Sequence, residues 1–157
     1  MQRRDFLAFL ACSAALTVLR VPALAASKGV GEWDKQDAEW KKLLTSEQFH
    51  ILRREGTERP YSSALLDEKR QGVFACVACQ QPLFKSDWKY DSGTGWPSFY
   101  DAIPGSLGTK TDHLLGYART EYHCSRCGGH HGHIFNDGPQ PTGLRYCSNG
   151  AVLTFKG

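Results

Sequence analysis

Gly72-Val73-Phe74-Ala75-Cys76-Val77-Ala78-Cys79 joins a short apolar run to a CxxC turn, and the chain repeats the turn once, as Cys124-Ser125-Arg126-Cys127. A CxxC turn points two thiolates at one centre. Two such turns complete a tetrahedron of soft ligands about 2.3 Å from a zinc ion. The expectation is one structural zinc held by Cys76, Cys79, Cys124 and Cys127. Between Cys79 and Cys124 lie 44 residues, more than a compact zinc ribbon spans, so a larger sheet must bring the two turns together. The surrounding pattern agrees. Short runs such as Gly72–Ala75 and Ala151-Val152-Leu153-Thr154-Phe155 are separated by Gln81-Pro82, Ser92-Gly93-Thr94-Gly95, Ile103-Pro104-Gly105 and Asp137-Gly138-Pro139. Apolar runs of that length between glycine- and proline-bearing turns predict a mainly antiparallel β domain.

Ahead of the β region the chain reads as helical. Trp33 and Trp40 are seven residues apart, with Leu43 and Leu44 next, which predicts an apolar helical stripe. Thr45-Ser46-Glu47-Gln48 fits a capping box opening a second helix through Phe49, Ile51 and Leu52, with Gly56 placed to stop it. These helices are expected on the outside of the sheets.

A chain of 157 residues with 41% hydrophobic composition is the size of one domain with a real core. The first residues read as an export signal. Arg3-Arg4 precedes an apolar stretch from Phe6 to Leu19, and Ala23-Leu24-Ala25 offers small residues for a signal peptidase. The start Gln2-Arg3-Arg4-Asp5-Phe6-Leu7 looks like a twin-arginine signal, which exports folded proteins. The expected division is 1–25 signal, 26–32 linker and 33–157 a single domain, delivered to the periplasm. The formal charge of +3 includes Arg3, Arg4, Arg20 and Asp5, so removing 1–25 subtracts 3 − 1 = 2 and leaves +1. A near-neutral domain has little electrostatic attraction for nucleic acid or anionic lipid. No uninterrupted apolar run reaches the roughly 18 residues of a membrane span. The expectation is a monomer, free of membrane after signal removal, whose partner is a small or neutral group.

Cys147 belongs to neither CxxC pair. In Gly143-Leu144-Arg145-Tyr146-Cys147-Ser148-Asn149, a strand would put Arg145, Cys147 and Asn149 on one face and Leu144 and Tyr146 on the other. A guanidinium beside a thiol lowers its pKa and raises the thiolate fraction. The bland reading is an inert core thiol. Gly129-His130-His131-Gly132-His133 follows the second CxxC directly and supplies imidazoles suited to proton transfer near neutral pH. Extra metal ligation or surface histidines are the alternatives, and spacing alone does not say which ring faces inward. In Gly93-Thr94-Gly95-Trp96-Pro97-Ser98-Phe99, Trp96 is either a core plug or the wall of an apolar site. The CxxC pairs also admit disulfides or a redox dithiol in an exported chain.

Taken together, Gly56-Thr57-Glu58-Arg59-Pro60-Tyr61-Ser62, Cys76–Cys79, Gly95-Trp96-Pro97-Ser98-Phe99, the Cys124–His133 segment, Asp137-Gly138-Pro139 and Arg145-Tyr146-Cys147-Ser148-Asn149 resemble the type B methionine-R-sulfoxide reductases, over roughly residues 33–155. The resemblance implies two twisted antiparallel sheets with short N-terminal helices. It implies Cys147 as the nucleophile that attacks the sulfoxide sulfur and becomes a sulfenic acid. It implies His130 and His133 as the imidazoles that protonate the departing oxygen, Arg145 as the group favouring the thiolate and Asn149 as a substrate-binding amide. Trp96 and Phe135 would wall the thioether methyl, and the substrate would be methionine sulfoxide, free or in oxidised proteins of the cell envelope. His131 matches no family role.

Many members carry a resolving cysteine between the two glycines before the Trp motif, where this chain has Thr94. The resemblance therefore implies a one-cysteine enzyme whose sulfenic acid is reduced by an external thiol, either a thioredoxin-like protein or a small molecule. Asn136 stands where the family usually has Pro. Two other readings are a zinc-stabilised binding module of the same fold, weakened in activity, and a thiol–disulfide oxidoreductase acting through a CxxC.

Overall fold

The computed structural model describes residues 29–157. The expected signal at 1–25 and the first part of the linker lie outside the described residues. Among those described, no helix is long and apolar enough to cross a membrane.

Two short helices come first, α1 (Asp37–Leu43) and α2 (Ser46–Arg54). Thr45 caps α2 as its sequence predicts. Its hydroxyl accepts from the Gln48 N–H and the Gln48 side chain returns to the Thr45 N–H. Three details differ from the sequence expectation. Trp33 lies in a 3-10 turn before α1, although it still stacks on Trp40 with ring centres 6.1 Å apart. Leu43 points to solvent, while Trp40 and Leu44 are buried in the core with Trp33 packed against it. The left-handed residue ending α2 is Glu55, at φ 55°, and Gly56 follows it. Gly56 is needed for space: a Cβ there would lie 2.3 Å from the His50 ring.

Nine strands follow among the described residues: β1 (Val73–Cys76), β2 (Pro82–Lys85), β3 (Lys89–Tyr90), β4 (Ser98–Phe99), β5 (Leu107–Asp112), β6 (Arg119–Cys124), β7 (His130–Phe135), β8 (Arg145–Ser148) and β9 (Leu153–Lys156). They form a three-stranded sheet in the order β2-β1-β9 and a six-stranded sheet in the order β3-β4-β8-β7-β6-β5, with every pairing antiparallel. This is the mainly β, two-sheet architecture the sequence predicts.

The core joins the sheets through aromatic rings. Phe74 of β1 meets Phe99 of β4 edge-on at 5.0 Å, and Phe84 of β2 stacks on Phe99 at 4.2 Å and meets Tyr122 of β6 at 6.0 Å. All four rings are fully buried. Burying a side chain of this size is worth about 1.5–3 kcal/mol, with a further 0.5–1.5 kcal/mol for a well-placed aromatic pair. The helices pack outside, with α2 against β7 and the 3-10 turn at Gly150–Val152. Arg53 of α2 covers the Trp40 ring at 5.0 Å and donates to the Cys127 carbonyl at 3.0 Å, so the helical segment is pinned to the second CxxC turn.

Candidate active site and metal centre

The two CxxC turns have the same backbone form. In each, the residue after the second cysteine adopts a left-handed conformation (Gln80 at φ 59°, Gly128 at φ 67°), and its N–H returns to the carbonyl of the first cysteine at 2.9 Å. The four Sγ atoms lie within 4.8 Å of one another, with Cys76–Cys127 at 3.7 Å and Cys79–Cys124 at 3.4 Å. The short contacts cross from one turn to the other, and all four thiols are free and buried. Disulfides within either CxxC are thereby set aside. A tetrahedron with ligands about 2.3 Å from its centre has edges of about 3.8 Å, so this donor set fits one zinc ion. Cys76 ends β1 of the small sheet and Cys124 ends β6 of the large one. The cluster clamps the sheets together at the root of the β6–β7 hairpin.

Strand register assembles the second site. Ser98 of β4 pairs with Cys147 of β8, Cys147 with His133 of β7, His133 with Glu121 of β6, and Glu121 with Lys110 of β5. Cross-strand partners share a face, so these five side chains form one row on the face away from the aromatic core. Arg145 pairs with Phe135 and Asp112 with Arg119 in the next row.

One irregularity decides which histidines join them. Residues three apart in a regular strand face opposite ways, so His130 and His133 would be separated. The β6–β7 register steps from Tyr122–Gly132 to His123–His130, which leaves His131 as an extra, bulged residue on β7. The bulge reverses the alternation. His130 and His133 then share a side, with ring centres 5.4 Å apart, and His131 turns into the core beside Tyr122.

Cys147 opens into a cleft of about 140 Å³ bordered by Trp96, Arg119, His133, Phe135 and Asn149. Trp96 is half-buried, and its indole N–H donates to the Glu58 carbonyl at 3.2 Å. Arg145 is gripped by both oxygens of Asp137, at 2.8 and 2.9 Å, and lies 4.3 Å above the Phe135 ring. Burial pushes the Cys147 thiol up, and the Arg145 charge and the Thr94 hydroxyl pull it back without prevailing. The expected thiolate-favouring role of Arg145 is present as a contribution. The net direction is opposite, because the thiol sits in a half-closed apolar cleft and Asp137 neutralises part of the guanidinium charge.

Thr94 occupies the place expected of a resolving cysteine. Its hydroxyl is 2.8 Å from that of Ser92, which is 2.7 Å from that of Ser98. Among the described residues, Cys147 is the only cysteine outside the metal cluster.

His133 Nε2 lies 2.8 Å from Asp112 Oδ2. Burial lowers the His133 pKa while Asp112 raises it. For Asp112, burial would raise the pKa, but the Leu114 N–H, His133 and Arg119 together hold it down to about 2. His130 stands one step back. Its ring is buried, with Nδ1 3.3 Å from Glu121 Oε1, and it borders an adjoining chamber that also contains His133 and Arg119. Of the two expected imidazoles, His133 alone borders the Cys147 cleft.

Asn149 borders the cleft with its amide already engaged. Its Oδ1 accepts from the Glu58 N–H at 2.9 Å and its Nδ2 donates to the His131 carbonyl at 3.0 Å. Glu58 in turn accepts from the Gly150 and Ala151 N–H groups at 2.6 and 2.7 Å. Asn149 thus ties the strand end carrying Cys147 to both the Glu58 loop and β7.

Sequence reasoning missed Glu58, Asp112, Arg119 and Glu121. A signal existed for three of them. Lys110 and Asp112 alternate along one run and Arg119 and Glu121 along the next, which on paired strands puts four charges on one face.

The SelR domain family model matches residues 44–157. The chain belongs to the peptide methionine sulfoxide reductase MsrB family. Relatives bearing that name include proteins from Methanosarcina barkeri (55% identical over 124 residues, covering 78% of this chain and 87% of the relative), Agrobacterium fabrum (49% over 124 residues, 78% and 92%) and Leptospira interrogans (52% over 126 residues, 80% and 96%). The matched MsrB domain contains both CxxC turns and the whole Cys147 cleft, whereas α1 and the Trp33 ring stack precede it.

Proposed function

We propose that Cys147 reduces methionine R-sulfoxide through a sulfenic acid, with His133 as its proton carrier. As a member of the MsrB family the chain is an oxidoreductase, a peptide-methionine (R)-S-oxide reductase. The observation that carries the assignment of roles is the pairing of Cys147 with His133 in a cleft walled by Trp96 and Phe135.

His133 takes the Cys147 proton and the thiolate attacks the sulfoxide sulfur. The sulfoxide S–O bond breaks, and the oxygen, protonated by the imidazolium, ends on the cysteine sulfur. Methionine leaves with its sulfur lone pair restored. The balance is Cys–SH plus R₂SO giving Cys–SOH plus R₂S. The sulfur of methionine is reduced and that of Cys147 oxidised by the same two electrons. Trp96 and Phe135 offer apolar faces to the S-methyl group, and Arg145 offsets charge on Cys147. Phe135 and the Trp96 loop also limit water around the reacting sulfur. The cysteine cluster would hold zinc through Cys76, Cys79, Cys124 and Cys127, and a zinc closed by four thiolates supplies structural stability.

The sulfenic acid is returned to the thiol by two external thiols, giving a disulfide and water. Thr94 beside Cys147 supports this one-cysteine cycle, since a hydroxyl forms no disulfide. The Arg3-Arg4 start and the Ala23-Leu24-Ala25 segment support export and repair of oxidised envelope proteins.

The test is steady-state turnover of each sulfoxide epimer with dithiol and monothiol reductants. The R epimer should be reduced and the S epimer left, and Cys147→Ser should abolish turnover while keeping the metal. Activity surviving in Cys147→Ser would move the chemistry to a CxxC thiol. An intramolecular Cys147 disulfide in the mass spectrum after one turnover would overturn the one-cysteine cycle.

A further inference from the structure

We propose that Asp112 is the positioning residue of His133, fixing the Nε2 edge of the ring so that Nδ1 is the nitrogen serving Cys147, and that Arg119 limits how much of the carboxylate charge reaches the ring. The inference rests on the Cys147 reading above and deepens it by separating the two ring nitrogens.

The carboxylate is held from three directions. Its Oδ1 accepts from the Leu114 N–H at 2.7 Å, and its Oδ2 faces both His133 Nε2, at 2.8 Å, and the Arg119 guanidinium. Its side chain is 6% exposed. Asp112 and Arg119 are cross-strand partners on β5 and β6, and His133 reaches them from β7. The carboxylate therefore cannot follow the ring if the ring turns. Among the described residues no hydrogen bond engages His133 Nδ1. An ionised carboxylate opposite Nε2 selects the tautomer with the proton on Nε2. The Nδ1 lone pair is then available to take the Cys147 proton, and Asp112 stabilises the imidazolium that results.

The charged and titratable groups around this ring come from four strands and the end of α2, where Glu55 lines the same chamber and is paired with Lys110. Asp112 stands on β5, Arg119 and Glu121 on β6, His130 on β7, and Arg145 and Cys147 on β8. Asp112 favours the imidazolium, while Arg119 and His130 oppose it. Glu121, the cross-strand neighbour of His133, is itself occupied by Lys110, at 3.2 Å, and His130, at 3.3 Å. Removing Asp112 and removing Arg119 should thus act on His133 in opposite directions, which a general loosening of the fold would not do.

The experiment is a histidine ¹⁵N titration of the full protein, with His133 assigned by His133→Gln, alongside the pH profile of kcat for methionine R-sulfoxide. In Asp112→Asn the His133 midpoint should fall by about one pH unit, and its ¹⁵N shifts should lose the Nε2–H signature. In Arg119→Met the midpoint should rise by about as much. The acid limb of kcat should follow each shift, because His133 must be neutral to take the Cys147 proton, with KM within about twofold. A midpoint unmoved in Arg119→Met, or a uniform fall of kcat with no change of profile in either variant, overturns the proposal. If Asp112→Asn does not fold, the Arg119→Met shift decides. Opposite midpoint shifts in a protein that reduces no sulfoxide would instead overturn the Cys147 reading and support the Asp112–His133 pairing.

Discussion

Gly132 of β7 lies against Cys147 of β8 so closely that a Cβ on the glycine would sit 1.8 Å from the Cys147 carbonyl oxygen. The strand bearing the proton carrier can approach the strand bearing the nucleophile only because this position has no side chain. Gly132→Ala must push β7 from β8 and spread the His133–Cys147 pair. Overpacking of this kind costs about 1–3 kcal/mol. Urea unfolding should show a loss in that range or larger. At temperatures where the variant stays folded, kcat should fall by at least about 100-fold, since small misplacements of reacting groups are heavily penalised. A variant with near-parent kcat would show that the tight approach is not needed for the chemistry.

That glycine marks where the sequence stops being legible. The four metal ligands could be read because CxxC spacing is local and its chemistry is narrow. The capping box at Thr45–Gln48 was legible for the same reason. The facing of His130 and His133 was not, because a bulge at His131 depends on how β6 pairs with β7, and no residue type announces it. Asp112 and Arg119 stayed hidden because their pairing across β5 and β6 needs the strand register. Asn149 was recognised as a site residue, yet the engagement of its amide by Glu58 and His131 comes from segments far apart in the chain. Local chemistry was readable, and the rows that place it across five strands were not.

The metal cluster clamps two sheets, so its removal should be felt at the cleft although no ligand borders it. Purified protein should carry about one zinc per chain. Chelation, or Cys124→Ser, should release the metal and collapse cooperative unfolding, with loss of sulfoxide reduction as a consequence. Metal content, thermal melts and turnover measured on the same samples check this. Full stability after metal loss would mean that the thiol cluster packs adequately by itself.

Cys147 is half-buried and should stay a protonated thiol until substrate arrives. Its pKa lies above the ordinary thiol range through burial, with Arg145 and Thr94 each pulling it down. Iodoacetamide should therefore alkylate it more slowly at pH 7 than free cysteine, with the rate rising into the alkaline range. Arg145→Met and Thr94→Val should each displace that rise further upward. The Arg145→Met shift should be the larger, because the Arg145 charge opposes burial more strongly than the Thr94 hydroxyl does. Fast alkylation at pH 7 in the unloaded parent would show a thiolate already formed at rest.

His131 is an unfavourable residue for the core. Its ring is fully buried, neither nitrogen has a hydrogen-bond partner among the described residues, and burial lowers its pKa to about 3. An unpartnered buried polar group costs about 1–3 kcal/mol, so His131→Leu, which keeps the volume and removes the nitrogens, should stabilise the protein by about that amount at pH 7. The pH dependence gives a second check. Unfolded histidine takes its proton near pH 6.5, whereas the folded ring resists protonation down to about 3. Between those values the unfolded state binds the extra proton, so the parent loses stability as pH falls through this window. The leucine variant lacks that contribution. The stability gap between the two proteins should widen steadily from about pH 6.5 downward, read as the difference in urea midpoints over the range where both keep their metal. A gap that stays constant with pH would mean that His131 finds a proton-accepting partner in the folded protein.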